Sequence, residues 1–330
     1  MKRIILTTLL ASALLTLTAC GAGAEGQGAA ELTAVTLMLD WVPNTNHTGI
    51  YVAQAKGYFA EDGLEVAIIE PGEVFAEQAI ASGAADFGVS FQEYITLSRA
   101  DGVPIVSIAA IIQHNTSGFA SPAALGVESP ADWGRLRYGS FGSPFEAPTL
   151  EVLMGCAGGD FSQLEIVETG YADPLALLDE DQISLAWIFY GWQGIQAQQL
   201  GIDLDLVMME DYFDCVPDYY TPVLIASEET IAGRPEIVRS FLAAVTRGYA
   251  DTIASPDSAA EILLEAVPEL DEALVRGSLD WLAPRYQAEA PRWGEQQASI
   301  WEDYAAWMLE HGILTEPIDA AAAFTNDFLP

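Results

Sequence analysis

Short apolar runs alternate with helix-period segments along most of this chain, and few folds accommodate that rhythm. Residues 35–39 form an apolar run suited to a strand, and 48–59 carry apolar side chains at helical spacing until Gly63 closes them. A strand at 65–69, a helix at 75–81 ended by Gly83, a strand at 87–89, a helix at 92–100 and a longer apolar strand at 103–112 follow. This alternation predicts a mostly parallel sheet with helices on both faces, because parallel neighbours need a crossover long enough to hold a helix. The rhythm restarts near Leu136, with strands expected at 137–140, 165–167, 184–189 and 204–208 and helices at 148–154, 174–178 and 192–200. An apolar stretch at 219–226 can return the chain to the first unit. Beyond Pro235 the pattern is helical over 237–254, 258–266, 271–282 and 298–310. The expected fold is α/β with two lobes, 33–118 with 222–330 as lobe 1 and 119–221 as lobe 2, joined by two hinge crossovers.

The N-terminus carries Lys2 and Arg3 ahead of an apolar stretch at 4–17, the length of a signal h-region and too short to span a bilayer. Leu17-Thr18-Ala19-Cys20 then resembles a bacterial lipobox. The expectation is a signal peptide at 1–19, lipidation of Cys20 and a Gly/Ala-rich tether at 20–32 that holds the protein at the outer face of the cell membrane. Against 48 acidic residues there are only 12 basic ones, for a net charge of −36. That balance excludes nucleic acid as a partner, since no basic surface exists to neutralise phosphates. Nor does the acidity signal disorder, because 51% of the residues are hydrophobic and 10% aromatic. His47, His114 and His311 form no metal-spaced pair, so no metal site is expected. With Cys20 assigned to lipid, Cys156 and Cys215 remain; their separation in sequence does not establish a bridge, and two small buried thiols is the simpler expectation.

Ligands of open α/β sheets bind beyond the carboxyl ends of strands. Six strand ends here run into polar and aromatic clusters. They are 40–49 (DWVPNTNHTG), 90–93 (SFQE), 113–118 (QHNTSG), 142–146 (GSPFE), 187–192 (WIFYGW) and 218–222 (DYYTP). Each residue alone is explained as well by capping, turns or core packing. Together they suit a flat heterocycle: rings stack on its faces, while acids and amides read its edge. The candidate ligand-binding residues are Asp40, Trp41, Asn46, His47, Phe91, Gln92, Glu93, Asn115, Ser143, Glu146, Trp187, Tyr190, Trp192, Asp218 and Tyr219. None of the six segments contains Lys or Arg, which speaks against an anionic ligand such as a sulfonate.

These segments carry a family resemblance over nearly all of the mature chain. LDWVPNTNHTGIYVA (39–53), KGYF (56–59), DFGVSFQE (86–93), IQHNTSG (112–118), FYGWQG (189–194), DYYTPVLIA (218–226) and AFTNDFLP (323–330) resemble the thiamine-pyrimidine-precursor-binding proteins of bacterial ABC importers. These share a superfamily with fungal thiamine pyrimidine synthases. The resemblance implies a periplasmic-binding-protein fold that closes by hinge motion, and permease and ATPase subunits as partners. It implies no cofactor, and a ligand that is either an aminopyrimidine such as hydroxymethylpyrimidine or its formylaminomethyl relative, or riboflavin, which some relatives serve. Glu146 or Asp218 would pair with an aminopyrimidine edge, and the many rings would suit an isoalloxazine. Similar synthases carry Lys and His four residues apart after an Asp-x-Gly strand, and a Cys-rich run before the return strand. Here Ser90 and Tyr94 stand at the first places and 216–220 reads VPDYY, so the resemblance implies a binding protein and not an enzyme.

Overall fold

The computed structural model describes residues 32–72 and 74–330, and the signal and Cys20 assignments lie outside them. Ten strands run β1 (Thr33–Met38), β2 (Leu64–Ile69), β3 (Phe87–Ser90), β4 (Ile105–Ala110), β5 (Ser117–Pro122), β6 (Arg137–Ser140), β7 (Glu165–Glu168), β8 (Leu185–Phe189), β9 (Leu204–Met208) and β10 (Val223–Ser227). They form two five-stranded sheets, ordered β2-β1-β3-β10-β4 and β7-β6-β8-β5-β9. The two orders share one pattern. In each, three strands run parallel, and the strand beside them runs antiparallel to both of its neighbours. Those antiparallel strands, β5 and β10, are the first strands after the chain crosses between sheets, so each crossover closes the sheet it enters. This fold is the two-lobe α/β architecture of periplasmic binding proteins.

Helices cover both faces of each sheet: α1 (Thr48–Ala55), α2 (Tyr58–Glu61), α3 (Ala76–Ala81), α4 (Gln92–Ala100), α5 (Glu146–Ala157), α6 (Pro174–Asp179), α7 (Ile195–Leu200), α8 (Glu228–Gly233), α9 (Pro235–Ala254), α10 (Pro256–Ala266), α11 (Glu272–Gln287) and α12 (Ala298–Glu310). Leu37, Val89, Phe87 and Phe241 centre one core of the first sheet, with the Phe87 and Phe241 rings stacked at 3.9 Å. Each such side chain contributes about 1.5–3 kcal/mol on burial. Helix α1 lies directly on α9, because Gly49 and Gly248 face one another. A Cβ on Gly248 would sit 1.9 Å from the Gly49 carbonyl oxygen.

Helix α12, expected with the first lobe, belongs to both. Trp301 and Ala305 enter a core of the first sheet, whereas Tyr304, Trp307 and Met308 join Phe119, Trp133 and Tyr138 in a core of the second. The expectation of free thiols is corrected: Cys156 at the end of α5 is bonded to Cys215, with their Cα atoms 6.3 Å apart. Cys156 is exposed and Cys215 half-buried, so neither is the small core residue expected. Folding of the second lobe, invisible in the spacing, brings them together.

Candidate functional site: an aromatic, acid-floored cleft

All six parallel strands point their carboxyl ends at the space between the sheets, and the loops that leave them build a cavity of about 660 Å³. Asp40 and Trp41 follow β1, Phe75 and Glu77 come from the loop and helix after β2, and Phe91, Glu93 and Tyr94 follow β3. From the second lobe come Phe141 and Phe145 after β6, Tyr171 and Asp173 after β7, and Trp187, Phe189 and Trp192 around the end of β8. Tyr219 enters just before β10, whose reversed direction brings its amino end to the same edge.

The lobes meet through rings. Phe91 stacks with Phe189 at 6.1 Å, Tyr94 meets Phe145 edge-on at 5.4 Å, and Trp41 lies 5.5 Å from Tyr171. Trp187 is held edge-on to Phe145 at 6.0 Å, and its Nε1 donates to the Ser117 hydroxyl at 2.8 Å. At the back, residues 190–194 form a π-helical turn against α11. Gly191 lies so close that a Cβ would meet Leu282 at 2.8 Å. Such turns are found at functional sites, and this one directs both Trp192 and Gln193 to the cavity.

Four carboxylates line the cavity, Asp40, Glu77, Glu93 and Asp173, and among the described residues no Lys, Arg or His does. Glu93 is 5% exposed and its Oε2 has no hydrogen-bond partner. Burial pushes its carboxyl up to about 8, against the weaker pull of its own backbone amide and the neighbouring Tyr219 hydroxyl. It is therefore a neutral acid at neutral pH, offering one donor and one acceptor. Glu77 is also raised, by burial above all, although the Ser90 hydroxyl donates to it; nearby Asp40 adds to the rise. Burial likewise keeps Tyr94 and Tyr219 protonated well past the usual tyrosine range.

Of the residues picked out in the sequence, Asp40, Trp41, Asn46, Phe91, Glu93, Trp187, Trp192 and Tyr219 line the cavity. The other seven do not line it. His47 is fully buried; its Nδ1 accepts from the Asn44 amide at 3.2 Å, so its protonated Nε2 donates to Asp40 at 2.6 Å and orients that acid. Gln92 joins segments instead of reading a ligand, accepting from the Tyr220 amide and donating to the Ile300 carbonyl. Asn115 Oδ1 accepts from the Ser117 amide and hydroxyl in the crossover before β5. Glu146 is spent on its own loop, taking bonds from the Tyr138 hydroxyl and the Phe141 and Ser143 amides. Ser143 bonds the Tyr94 hydroxyl across the cleft. Asp218 accepts from the Asn115 and Tyr219 amides and pairs with His114 at 2.5 Å, tying the two crossovers together. Tyr190 turns away onto Trp281 at 4.9 Å. Glu146 and Asp218, expected to face a ligand edge, are thus both engaged within the protein, whereas Glu93 lines the cavity with an unpartnered oxygen. Glu77, Phe75 and Tyr171 were not singled out, though all three follow strand ends, the signal that located the rest.

Fold and cleft together define a two-lobe binding protein of the periplasmic type. Comparison with solved structures agrees: the alkanesulfonate-binding protein SsuA from Xanthomonas axonopodis pv. citri superposes with a TM-score of 0.69 at 15% identity, over 90% of this chain and 99% of that one. Residues 44–259 match the family described as NMT1/THI5 like, and the chain belongs to that family. Among its relatives, the formylaminopyrimidine-binding protein of Halalkalibacterium halodurans is 30% identical, covering 89% of this chain and 90% of its own. The riboflavin-binding protein RibY of Chloroflexus aurantiacus is 29% identical over 96% and 95%. The 4-amino-5-hydroxymethyl-2-methylpyrimidine phosphate synthase of Legionella pneumophila is 26% identical over 90% and 92%.

Proposed function

We propose that this chain is the substrate-binding lipoprotein of an ABC importer, held outside the cell membrane through Cys20, and that its lobes close over an aminopyrimidine precursor of thiamine. The observation that carries the reading is Glu93, a buried acid with an unpartnered oxygen inside an aromatic cavity. Its proton meets a ring nitrogen and its carbonyl oxygen accepts from the adjacent amino group, while rings of both lobes cover the faces. An unpaired polar edge in such a site costs about 1–3 kcal/mol, which gives the ligand its selectivity. The binding protein from Halalkalibacterium halodurans supports the same choice.

The chain is a binder and not a synthase on this reading. Where similar synthases carry Lys and His, Ser90 bonds Glu77 and Tyr94 bonds Ser143, so neither place offers an amine or an imidazole. Riboflavin is the second reading, favoured by the cavity's volume of about 660 Å³, within the range of pockets for much larger ligands than one six-membered ring.

Titration of the purified protein with hydroxymethylpyrimidine, formylaminopyrimidine and riboflavin, followed by tryptophan fluorescence, tests both. Saturation by a pyrimidine at micromolar concentration or below, weakened about 10–100-fold in Glu93→Ala, is expected. A yellow preparation with flavin absorbance removes the pyrimidine reading.

A further inference from the structure

One ring crosses the mouth of the cleft. The loop after β7 is pinned at its base, where the Thr169 and Gly170 amides donate to the Ser140 carbonyl at 2.8 and 3.2 Å. Asp173 closes its other end by capping α6 through the Leu175 amide at 3.0 Å. Tyr171 stands at the apex. Its ring lies 5.5 Å from Trp41 and 5.8 Å from Phe75, both carried by loops of the other lobe. All three rings line the cavity, yet they are 50%, 42% and 42% exposed, and none belongs to a core of either lobe. They stand between cavity and solvent, and because Tyr171 belongs to one lobe and Trp41 and Phe75 to the other, their contacts exist only while the lobes are together.

We infer that Tyr171 is the gate of the cleft, a rigid tooth of the second lobe that locks between Trp41 and Phe75 and sets how long a captured heterocycle stays. This rests on the reading of the cleft as the ligand site. Because both ends of the loop are pinned, the gate moves with its lobe and not as a flap. Opening then requires both ring contacts to break at once, which slows departure. Entry happens with the lobes apart, so the association rate does not depend on it.

Stopped-flow fluorescence on the full chain tests this, with formylaminopyrimidine and riboflavin as probes and Tyr171→Ala and Tyr171→Phe as variants. Loss of two ring contacts is expected to raise the dissociation rate about tenfold in Tyr171→Ala. The association rate should stay within about threefold, consistent with affinity differences residing mainly in dissociation. Tyr171→Phe keeps both ring contacts and loses only the hydroxyl, which reaches Tyr94, so its dissociation rate should lie nearer wild type than that of Tyr171→Ala; a Tyr171→Phe rate equal to that of Tyr171→Ala would overturn the ring contacts as the lock. A dissociation rate unchanged in Tyr171→Ala overturns the gate while leaving the ligand site intact. Failure of the wild-type chain to bind either probe overturns the ligand reading and the gate with it.

Discussion

Replacing Glu93 with glutamine separates a neutral acid from a charged one. Glutamine has nearly the same shape and, like the protonated acid, presents one donor group and one acceptor. In the folded protein, burial carries this carboxyl from an ordinary 4.5 to about 8. At about 1.36 kcal/mol per tenfold, the difference is on the order of 5 kcal/mol. The sign follows from linkage. Below pH 4.5 folded and unfolded chains both hold the proton, so Glu93 costs nothing. From 4.5 to 8 the unfolded chain releases it and the folded one does not, and the native state loses ground until about pH 8. Glu93→Gln escapes that loss. Scanning calorimetry should find variant and wild type alike near pH 4.5 and the variant melting roughly 10 °C higher at pH 9. Its pyrimidine affinity should stay within a few-fold at pH 7 and lose the decline that wild type shows above pH 8. Melting curves that run parallel from pH 4.5 to 9 would refute the account of Glu93 as a buried neutral acid.

Other expectations follow from the same geometry. His114 is raised to about 9, first by its bond to Asp218 and further by Glu289, while partial burial opposes them. Its contribution is therefore complete below about pH 6.5 and lost by about 9. Half-exposed as it is, it should supply roughly 1–2 kcal/mol after solvent screening, and His114→Asn should flatten that part of the melting profile. Gly248→Ala should cost more than about 3 kcal/mol, read by urea unfolding, because its Cβ has no room against Gly49. With four carboxylates and no cation among the described lining residues, the cleft should bind the phosphate ester of its pyrimidine at least about 100-fold more weakly than the free alcohol. Equal affinities by calorimetry would contradict that.

The alternation of apolar runs located most strands to within a residue or two, since burial on both faces leaves a run of Val, Ile and Ala that little else produces. It did not locate β5, whose SGFASP is too small and polar to read as a strand and forms because it closes the second sheet between β8 and β9. Nor did it foresee that the helix at 48–59 breaks at Gly57, where φ is 75°. Periodicity is blind to such partners and turns. At the site, strand-end loops showed where ligand chemistry could gather, yet not which member of each cluster faces inward. Ser-Phe-Gln-Glu at 90–93 holds two cavity residues, Phe91 and Glu93, around a Gln92 wholly spent on Tyr220 and Ile300. Helix geometry turns Gln92 away from its neighbours, and only the packing of β10 and α12 decides which of the two directions is the cleft.

The most direct test of the account is a crystal structure of the protein grown with its tightest heterocycle. It should show the ring between the aromatic walls of the two lobes, with one edge nitrogen and its amino group within hydrogen-bond distance of Glu93. A ligand bound elsewhere, or a ring in the cleft whose polar edge avoids Glu93, would contradict it.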